Sequence, residues 1–204
     1  MARKPQQARA KATVDAIIEA GFIALAGPDP RSGVTTRYVA EIAGISVGSL
    51  YEYFPNKEAI FAAMSQHFVA GLVGMVQPLV PALVRMPIHQ AVYTLLMEFG
   101  NFLRKNDERY LKFARQGIQA EFQQHLEPVT RILMELVMQY IMHNPASSRL
   151  RNIPTMAYIF INGGIFAVVR HLSDPCPPMS YEELASGLAD MVGHYVAQEL
   201  VLSV

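Results

Sequence analysis

The feature that most constrains this chain is a set of closely spaced helix start and stop signals between residues 35 and 54. Thr35 and Ser46 each precede a helix-compatible stretch and can act as N-caps. Gly44 lies where a left-handed residue would end the first helix, and Pro55 ends the second. The sequence therefore predicts two short helices joined by a turn of three or four residues, which is the helix-turn-helix geometry.

An amphipathic helix is predicted ahead of this pair. Between Val14 and Leu25 apolar residues recur at helical spacing, so they share one face, and Gly27-Pro28 ends the helix. The first 11 residues carry four basic side chains and no acidic one. We expect them to form a basic arm, solvated or touching phosphate, ahead of the first helix.

The remainder of the chain is predicted to be entirely helical. Breaks are predicted at prolines 78, 81 and 87, near residues 106 and 128, at 144–145 and across 174–178. None of the segments between them alternates with the period of a strand. The fold class predicted is therefore all-α, with long helices at 88–105, 107–126, 129–143, 153–172 and 181–202.

Composition excludes several classes of protein. Lys plus Arg equals Asp plus Glu, at 17 each, so a nucleic-acid site has to be local. The single cysteine, Cys176, cannot form an internal disulfide, and the N-terminal residues lack the apolar core of a secretory signal, so a cytoplasmic protein is expected. The uncharged segments 59–84 and 152–169 are interrupted by polar residues and prolines. We expect them to be buried helices, with no membrane as partner.

Signals for an enzyme are weak. The sequence has no glycine-rich phosphate loop, nucleophile elbow or His-Glu-x-x-His motif, and its six histidines are scattered. Glu121 and His125 are four residues apart and could share a metal ion, but one such pair is common by chance. No cofactor and no metal site is expected.

The stretch from Val34 to Glu58 resembles the DNA-binding signature of the TetR family of bacterial transcriptional repressors. The matching pieces are Thr35-Thr36, Ile42-Ala43-Gly44-Ile45-Ser46, Gly48-Ser49-Leu50-Tyr51, Tyr53-Phe54 and Asn56-Lys57-Glu58. The resemblance covers roughly the first 65 residues. It implies an N-terminal three-helix DNA-binding bundle, residues 1–56, followed by a larger helical domain for ligand binding and dimerisation, residues 57–204.

The recognition helix has the chemistry that a major groove requires. Small and polar residues at its N-terminal end allow close approach to the bases, and outward-facing tyrosines can donate hydrogen bonds to phosphate. By analogy with the family, Arg37 reaches a base, most simply guanine, and Lys57 attracts phosphate. The predicted DNA-binding residues are Thr36, Arg37, Ser46, Val47, Gly48, Ser49, Tyr51, Tyr53 and Lys57.

Three features leave base specificity open. The loop before the second helix is long, Val47 stands where the family often has a polar residue, and Glu52 adds a negative charge to the recognition helix. Glu52 can accept from cytosine or lie away from DNA. The two tyrosines could simply be packing aromatics, and Arg37 a solvated charge. Residues 1–60 hold seven basic and six acidic groups, so nonspecific attraction to DNA should be modest.

The resemblance also implies a ligand pocket and a dimer made by the last two helices. Large, adaptable apolar residues of the middle helices could line the pocket, although such residues are more often ordinary core. The predicted ligand-binding residues are Met64, Phe68, Phe99, Phe102, Phe113, Phe122, Met134, Met138, Tyr158 and Phe166. Gly163 and Gly164 would allow a second helix to approach closely, or could mark a kink.

These observations predict a homodimeric DNA-binding regulator. Its expected partners are a near-palindromic double-stranded operator, a second copy of the chain and a small apolar or amphipathic effector, and repression is the expected mode. Two alternatives stay open at this point. One is a small-molecule sensor whose DNA-binding unit is weak or vestigial, and the other is a helical enzyme or membrane-associated protein.

Overall fold

The structure, a computed structural model, describes residues 3–27, 34–105, 108–117 and 127–202. Within these residues every element is helical, as the sequence predicts. The helices are α1 (Arg3–Ala26), α2 (Thr36–Ala43), α3 (Val47–Tyr53), α4 (Lys57–Val76), α5 (Val80–Leu83), α6 (Ile88–Arg104), α7 (Arg109–Gly117), α8 (Glu127–His143), α9 (Ile153–Leu172) and α10 (Tyr181–Leu202). A 3-10 helix, Pro145–Arg149, precedes α9.

The predicted N-caps of the helix-turn-helix are confirmed. The Thr35 hydroxyl accepts from the Tyr38 amide at 3.2 Å, and the Ser46 hydroxyl accepts from the Ser49 amide at 3.0 Å. Asn56 caps α4 in the same way, through Ala59, at 2.8 Å. Each cap satisfies an amide that the first turn of a helix would otherwise leave unpaired.

Gly44 ends α2 in the left-handed conformation, with φ 69° and ψ 30°. Its amide donates to the carbonyl of Glu41 at 3.2 Å, and the Ile45 amide donates to the carbonyl of Ala40 at 3.0 Å. This is the hydrogen-bond pattern of a Schellman motif. The turn is fixed by the backbone, so the angle between α2 and α3 is set before any DNA is bound.

The expectation of a separate basic arm is wrong, because α1 begins at Arg3 and includes that segment. Pro5 lies within the first turn, where a helix has no backbone hydrogen bond for a proline to remove. The Gln, Ala, Lys and Arg residues that follow it favour a helix. Basic residues such as Arg9 and Lys11 are therefore exposed on an ordered helix.

Other helix boundaries agree closely with the sequence. The bounds of α9 and α10 are as predicted, and α6 ends one residue early. Pro81 does not interrupt a helix, because it occupies the first turn of α5. Likewise α8 begins at Glu127, with its proline in the first turn. The second half of the helix predicted at 107–126 lies outside the described residues.

The core of the N-terminal helices continues into α4. Ile17, Phe22, Leu50, Ile60 and Met64 are all at most 1% exposed. At Gly21 an added Cβ would lie 2.7 Å from the Met64 sulfur, so α1 and α4 are in close contact. The division of the chain after residue 56 stays a prediction.

An aromatic cluster joins α1, α4, α6 and α7. The ring centroids of Phe22 and Phe113 are 5.4 Å apart, and those of Phe68 and Phe102 are 5.5 Å apart. Tyr110 stacks on Phe102 with centroids 4.8 Å apart. These separations are typical of favourable aromatic pairs, so the cluster fixes the N-terminal helices to the rest of the chain.

Polar contacts reinforce the link between α1 and α7. Arg109 pairs with Glu19, and the Lys112 ammonium donates to the Ala26 carbonyl at 3.3 Å. A cation at the C-terminal end of a helix interacts favourably with its dipole. The end of α1 is therefore held by α7.

Two described helices are long and apolar enough to cross a membrane by length and composition alone. They are α4, with mean hydropathy 1.6, and α9, with mean hydropathy 1.4. Of their apolar windows 39% and 22% are buried. This is weak evidence for a membrane, but it shows that α9 exposes much apolar surface in the single chain.

Candidate DNA-binding face and ligand cavity

Helix α3 presents a small and polar N-terminal end to solvent. Ser46 and Gly48 are exposed, and Ser49 is half-buried. On the opposite side Leu50 and Phe54 are 0% and 7% exposed, as the sequence predicts. The predicted base-facing surface is thus presented by a helix whose inner face is fixed in the core.

The hydroxyl groups of Thr36 and Tyr51 are 3.2 Å apart and form a hydrogen bond. Tyr51 is 49% exposed, so this contact lies at the surface, between the start of α2 and the middle of α3. This hydrogen bond orients the phenol of Tyr51, which the sequence predicts to contact a DNA phosphate. It was not foreseen from the sequence, because the two residues are 15 positions apart on different helices.

The two recognition-helix tyrosines lie on different sides of α3. Residues two positions apart on an α-helix are separated by about 200° around the helix axis. Tyr53, at 37% exposed, therefore cannot share the contact that Tyr51 makes. Val47, at 38% exposed, is one turn before Tyr51 and lies on its side of the helix.

The predicted cationic contacts flank this surface. Arg37 is the second residue of α2, and Lys57 is the first residue of α4. Both are exposed, as is Glu52 on α3. The Thr36–Tyr51 hydrogen bond joins the start of α2 to α3, and three residues, 54–56, separate α3 from α4. Their contacts with DNA remain a prediction.

The helices from α4 onward line a partly open cavity of about 230 Å³. That volume exceeds the roughly 150 Å³ cavity that holds benzene in a well-studied core mutant. Its lining comes from α4, α5, α6, α8, α9 and α10, with the 3-10 helix. Aliphatic side chains predominate, among them Leu72, Leu95, Leu133, Ile153 and Ile161.

Polar groups of the lining lie at one end of the cavity. The Tyr140 hydroxyl donates to the Met86 carbonyl at 3.0 Å, beside the start of α6, and burial raises the pKa of Tyr140. The Tyr195 hydroxyl donates to the Arg151 carbonyl at 3.5 Å. Ser147, which is buried, lines the same region.

Of the ten predicted ligand-binding residues, the structure places Phe99 in the cavity wall. Met64, Phe68, Phe102 and Phe113 are buried, the three phenylalanines within the aromatic cluster beside α1. Met134 and Met138 line a shallow depression on the outer side of α8. Tyr158 and Phe166 are 60% and 54% exposed on α9, and Phe122 lies outside the described residues.

The cavity-lining residues that the sequence did not single out are mostly leucine, isoleucine, valine and alanine. Large aromatic side chains fill the space around them and become core, whereas a void remains where smaller side chains leave it. Helical periodicity identifies the inner face of each helix but does not show which part of that face borders a void.

Metal chemistry has no site in the described part of the chain. No group of three or more His, Cys, Asp or Glu side chains is arranged to hold an ion there. The pair considered from the sequence, Glu121 and His125, lies outside the described residues.

Residues 30–64 match the family model for bacterial regulatory proteins of the tetR family. The match covers the second helix, the turn, the recognition helix and the first part of α4. Residues 30–64 therefore carry the DNA-binding segment that is typical of the tetR family. The matched segment is a DNA-binding unit of bacterial transcriptional regulators. No curated protein sequence matches the chain.

Solved structures of similar fold include the fatty acid degradation regulator FadR from Bacillus halodurans, at 15% identity and TM-score 0.69, covering 87% of this chain and 96% of that one. The TetR family repressor AlkX from Dietzia sp. strain DQ12-45-1b, implicated in biodegradation of n-alkanes, is 23% identical with TM-score 0.56, covering 90% and 94%. NalD, the secondary repressor of the MexAB-OprM multidrug efflux pump in Pseudomonas aeruginosa, is 18% identical with TM-score 0.59, covering 90% and 97%. These likenesses show that the helices beyond the matched segment share the fold of TetR regulators.

Proposed function

We propose that the protein is a homodimeric repressor that reads a near-palindromic operator and releases it when a small apolar or amphipathic molecule enters the cavity. The proposal assigns residues 1–56 to DNA binding and residues 57–204 to effector binding and dimerisation. The observation that carries it is the combination, in one chain, of an exposed, capped recognition helix with an apolar cavity among the C-terminal helices.

DNA binding is supported by the geometry of the α2–α3 unit. A helix enters the major groove, about 12 Å wide, by its small N-terminal residues, and here these are Ser46, Val47, Gly48 and Ser49. The proposal assigns the phenol of Tyr51 and the ammonium of Lys57 to phosphate contacts. Arg37 then takes the base contact.

Dimerisation is supported by the uncovered face of α9. Tyr158, Ile159 and Phe166 are each more than half exposed, and an added Cβ at Gly163 would have no neighbour within 4 Å. A row of large apolar side chains around an open glycine fits a second helix that packs closely. A two-fold dimer through this face and α10 would place two recognition helices for two half-sites.

An apolar effector is supported by the chemistry of the cavity wall. Two of the similar structures, FadR and AlkX, carry names that refer to fatty acid degradation and to n-alkanes. Two half-sites of an operator lie about 34 to 36 Å apart, or a multiple of that distance. The effector would act by binding more tightly to a conformation of the dimer in which the two recognition helices do not match this spacing. The aromatic cluster and the α1–α7 contacts give a packed route between cavity and DNA-binding helices.

The decisive experiment is selection of bound fragments from a random duplex library by the purified protein, at about 150 mM salt because phosphate contacts dominate at lower salt. We expect enrichment of an inverted repeat. A matched control is the Arg37→Ala, Lys57→Ala double variant, which keeps the fold and should enrich nothing.

The alternative is a small-molecule sensor with a weak DNA-binding unit. Exposed Glu52 on α3 and the near-neutral charge of residues 1–60 favour it. It predicts that a folded, dimeric protein enriches no sequence at any salt concentration. That outcome would contradict repression of an operator by the protein alone.

A further inference from the structure

The charge of the residues that line the cavity restricts the chemistry of the effector more than the volume of the cavity does. Among the described residues that line the cavity there is no Asp or Glu, and Arg151 is the one charged side chain. A buried cation needs a partner of opposite charge, since its loss of hydration is otherwise uncompensated. Cationic amphiphiles are therefore poorly matched to this cavity, whereas a neutral molecule needs no partner and an anion can pair with Arg151.

The cavity is elongated along α6. Its wall includes Ile88 at the start of that helix and Phe99 eleven residues later, a distance of about 16 Å at 1.5 Å per residue. On α9 the wall extends from Ile153 to Ile165 in the same way. Such a shape suits a straight aliphatic chain lying parallel to the helices.

Arg151 is at the end of the cavity where the other polar groups collect. It follows the 3-10 helix and precedes Asn152, whose left-handed conformation (φ 53°) turns the chain into α9. Arg151 is exposed, and no acidic residue in the described part of the chain pairs with it. Its guanidinium can bind an anion without first breaking an ion pair or leaving water.

We infer that the effector is a straight-chain aliphatic molecule with an anionic head, with its chain along α6 and its head at Arg151. This inference rests on the proposed function for its regulatory consequence but not for the binding itself. Ser147, which lines the same end of the cavity, carries a hydroxyl group that can donate to the same head. A carboxylate and a phosphate ester share this chemistry, and binding measurements separate them.

The test is calorimetric titration of the full-length protein with four ten-carbon probes, each below its micelle concentration. The probes are decanoate, decyl phosphate, decanol and decylammonium. We expect at least one anion to bind about tenfold or more tightly than decanol, and decylammonium to bind most weakly. The tighter of the two anions identifies the head group.

Arg151→Gln should bring the better anion to within about twofold of decanol and leave decanol itself unchanged. Arg149→Gln removes the same charge two residues away, at a position that does not line the cavity, and should leave the preference intact. Gly164→Leu should weaken all probes, because an added Cβ there has no neighbour within 4 Å and would extend into the cavity region. If that variant does not fold, Ala157→Leu serves the same purpose.

A series of carboxylates provides a second readout. Each added methylene should tighten binding about threefold to fourfold until the chain exceeds the length of the cavity, after which the gain should stop. Equal or tighter binding of decylammonium, an equal effect of the Arg149 variant, or no binding of any probe by the folded protein would each overturn the inference. If the protein binds an anionic probe but selects no operator, the proposed repressor function is refuted and the binding inference stands. If the operator is released only by molecules of another kind, the inferred effector class is wrong and the repressor function stands.

Discussion

The ring of Tyr181, the first residue of α10, packs directly on the backbone of α6 at Gly100, where an added Cβ would lie 2.5 Å from the tyrosine oxygen. The Tyr181 hydroxyl donates to the Leu96 carbonyl, and the Arg104 guanidinium lies 5.1 Å from the ring centroid. Ala185 and Ala189 continue the contact as buried small residues. The α6–α10 pair is therefore held by a close approach that only glycine permits at position 100.

Gly100→Ala should destabilise the protein by about 1 to 3 kcal/mol, because the methyl group forces the Tyr181 ring or α10 to move. Chemical denaturation followed by circular dichroism measures this. Gly74→Ala is the matched control, since an added Cβ there has no neighbour within 4 Å. The control should be neutral or stabilising by up to about 1 kcal/mol. Equal effects of the two substitutions would contradict the packing described.

The protein should lose stability at high pH through Tyr181. Burial raises the pKa of its phenol to about 12, an effect that Arg104 partly offsets. The folded state holds this proton more tightly than the unfolded state, where tyrosine titrates near 10. Its contribution is complete below pH 10 and is lost as the pH rises toward 12.

Tyr181→Phe should remove that loss. The variant starts less stable near neutral pH, by about 1 kcal/mol for the missing hydrogen bond to Leu96, and the difference from the original chain should shrink above pH 10. Subtracting the two ultraviolet titration curves should isolate one tyrosine with a raised pKa. A difference curve centred near 10 would contradict the assignment.

Local signals account for what the sequence predicted correctly. A cap, a left-handed glycine or a first-turn proline acts within four residues, so Thr35, Gly44 and Ser46 could be assigned without knowing the fold. The proline rule, applied strictly, erred at Pro81, which occupies the first turn of α5, where it costs no hydrogen bond. The start of α1 was missed for another reason, because its basic residues were interpreted as a separate arm.

Contacts between distant elements were not predictable in this way. Nothing in the sequence pairs Thr36 with Tyr51 or Arg109 with Glu19. The cavity is a property of how six helices meet, which explains why Phe99 alone, among the predicted ligand residues that the structure describes, was found in its wall. Large aromatics such as Phe68 and Phe113 pack on each other and fill space rather than border it.

Lys57→Ala and Tyr51→Phe should each weaken binding to all DNA sequences about equally, because a phosphate contact carries no base information. Loss of Lys57 should also reduce the slope of log affinity against log salt by about 1 for each subunit. Fluorescence anisotropy over a salt series measures both. Arg85→Ala, an exposed cation between α5 and α6, is the control and should change neither quantity.

Arg37→Ala should relax the preference at one base position in each half-site as well as weakening binding, by about 1 to 3 kcal/mol per contact. Repeating the library selection with this variant tests it. An operator logo identical to that of the original chain would show that Arg37 contacts phosphate or solvent instead.

Phe166→Glu should dissociate the dimer, because it places an unpaired charge in the middle of the proposed α9 interface. We expect at least about tenfold weaker self-association by sedimentation, with loss of inverted-repeat binding and an unchanged helical content. Met142→Glu introduces the same charge at an even more exposed residue, 71% against 54%, on α8. A dimer that tolerates the Phe166 change but not the Met142 change would locate the interface on α8.

The anchoring of α1 at its C-terminal end has a mechanical consequence. The Lys112 contact at Ala26 and the Arg109–Glu19 pair tie the C-terminal part of α1, a helix of 24 residues and about 36 Å, to α7. If α7 moved and α1 tilted with it by about 5°, the N-terminal end of α1 would be displaced by about 2 to 3 Å. Within α1 the displacement would be largest at the basic N-terminal turns.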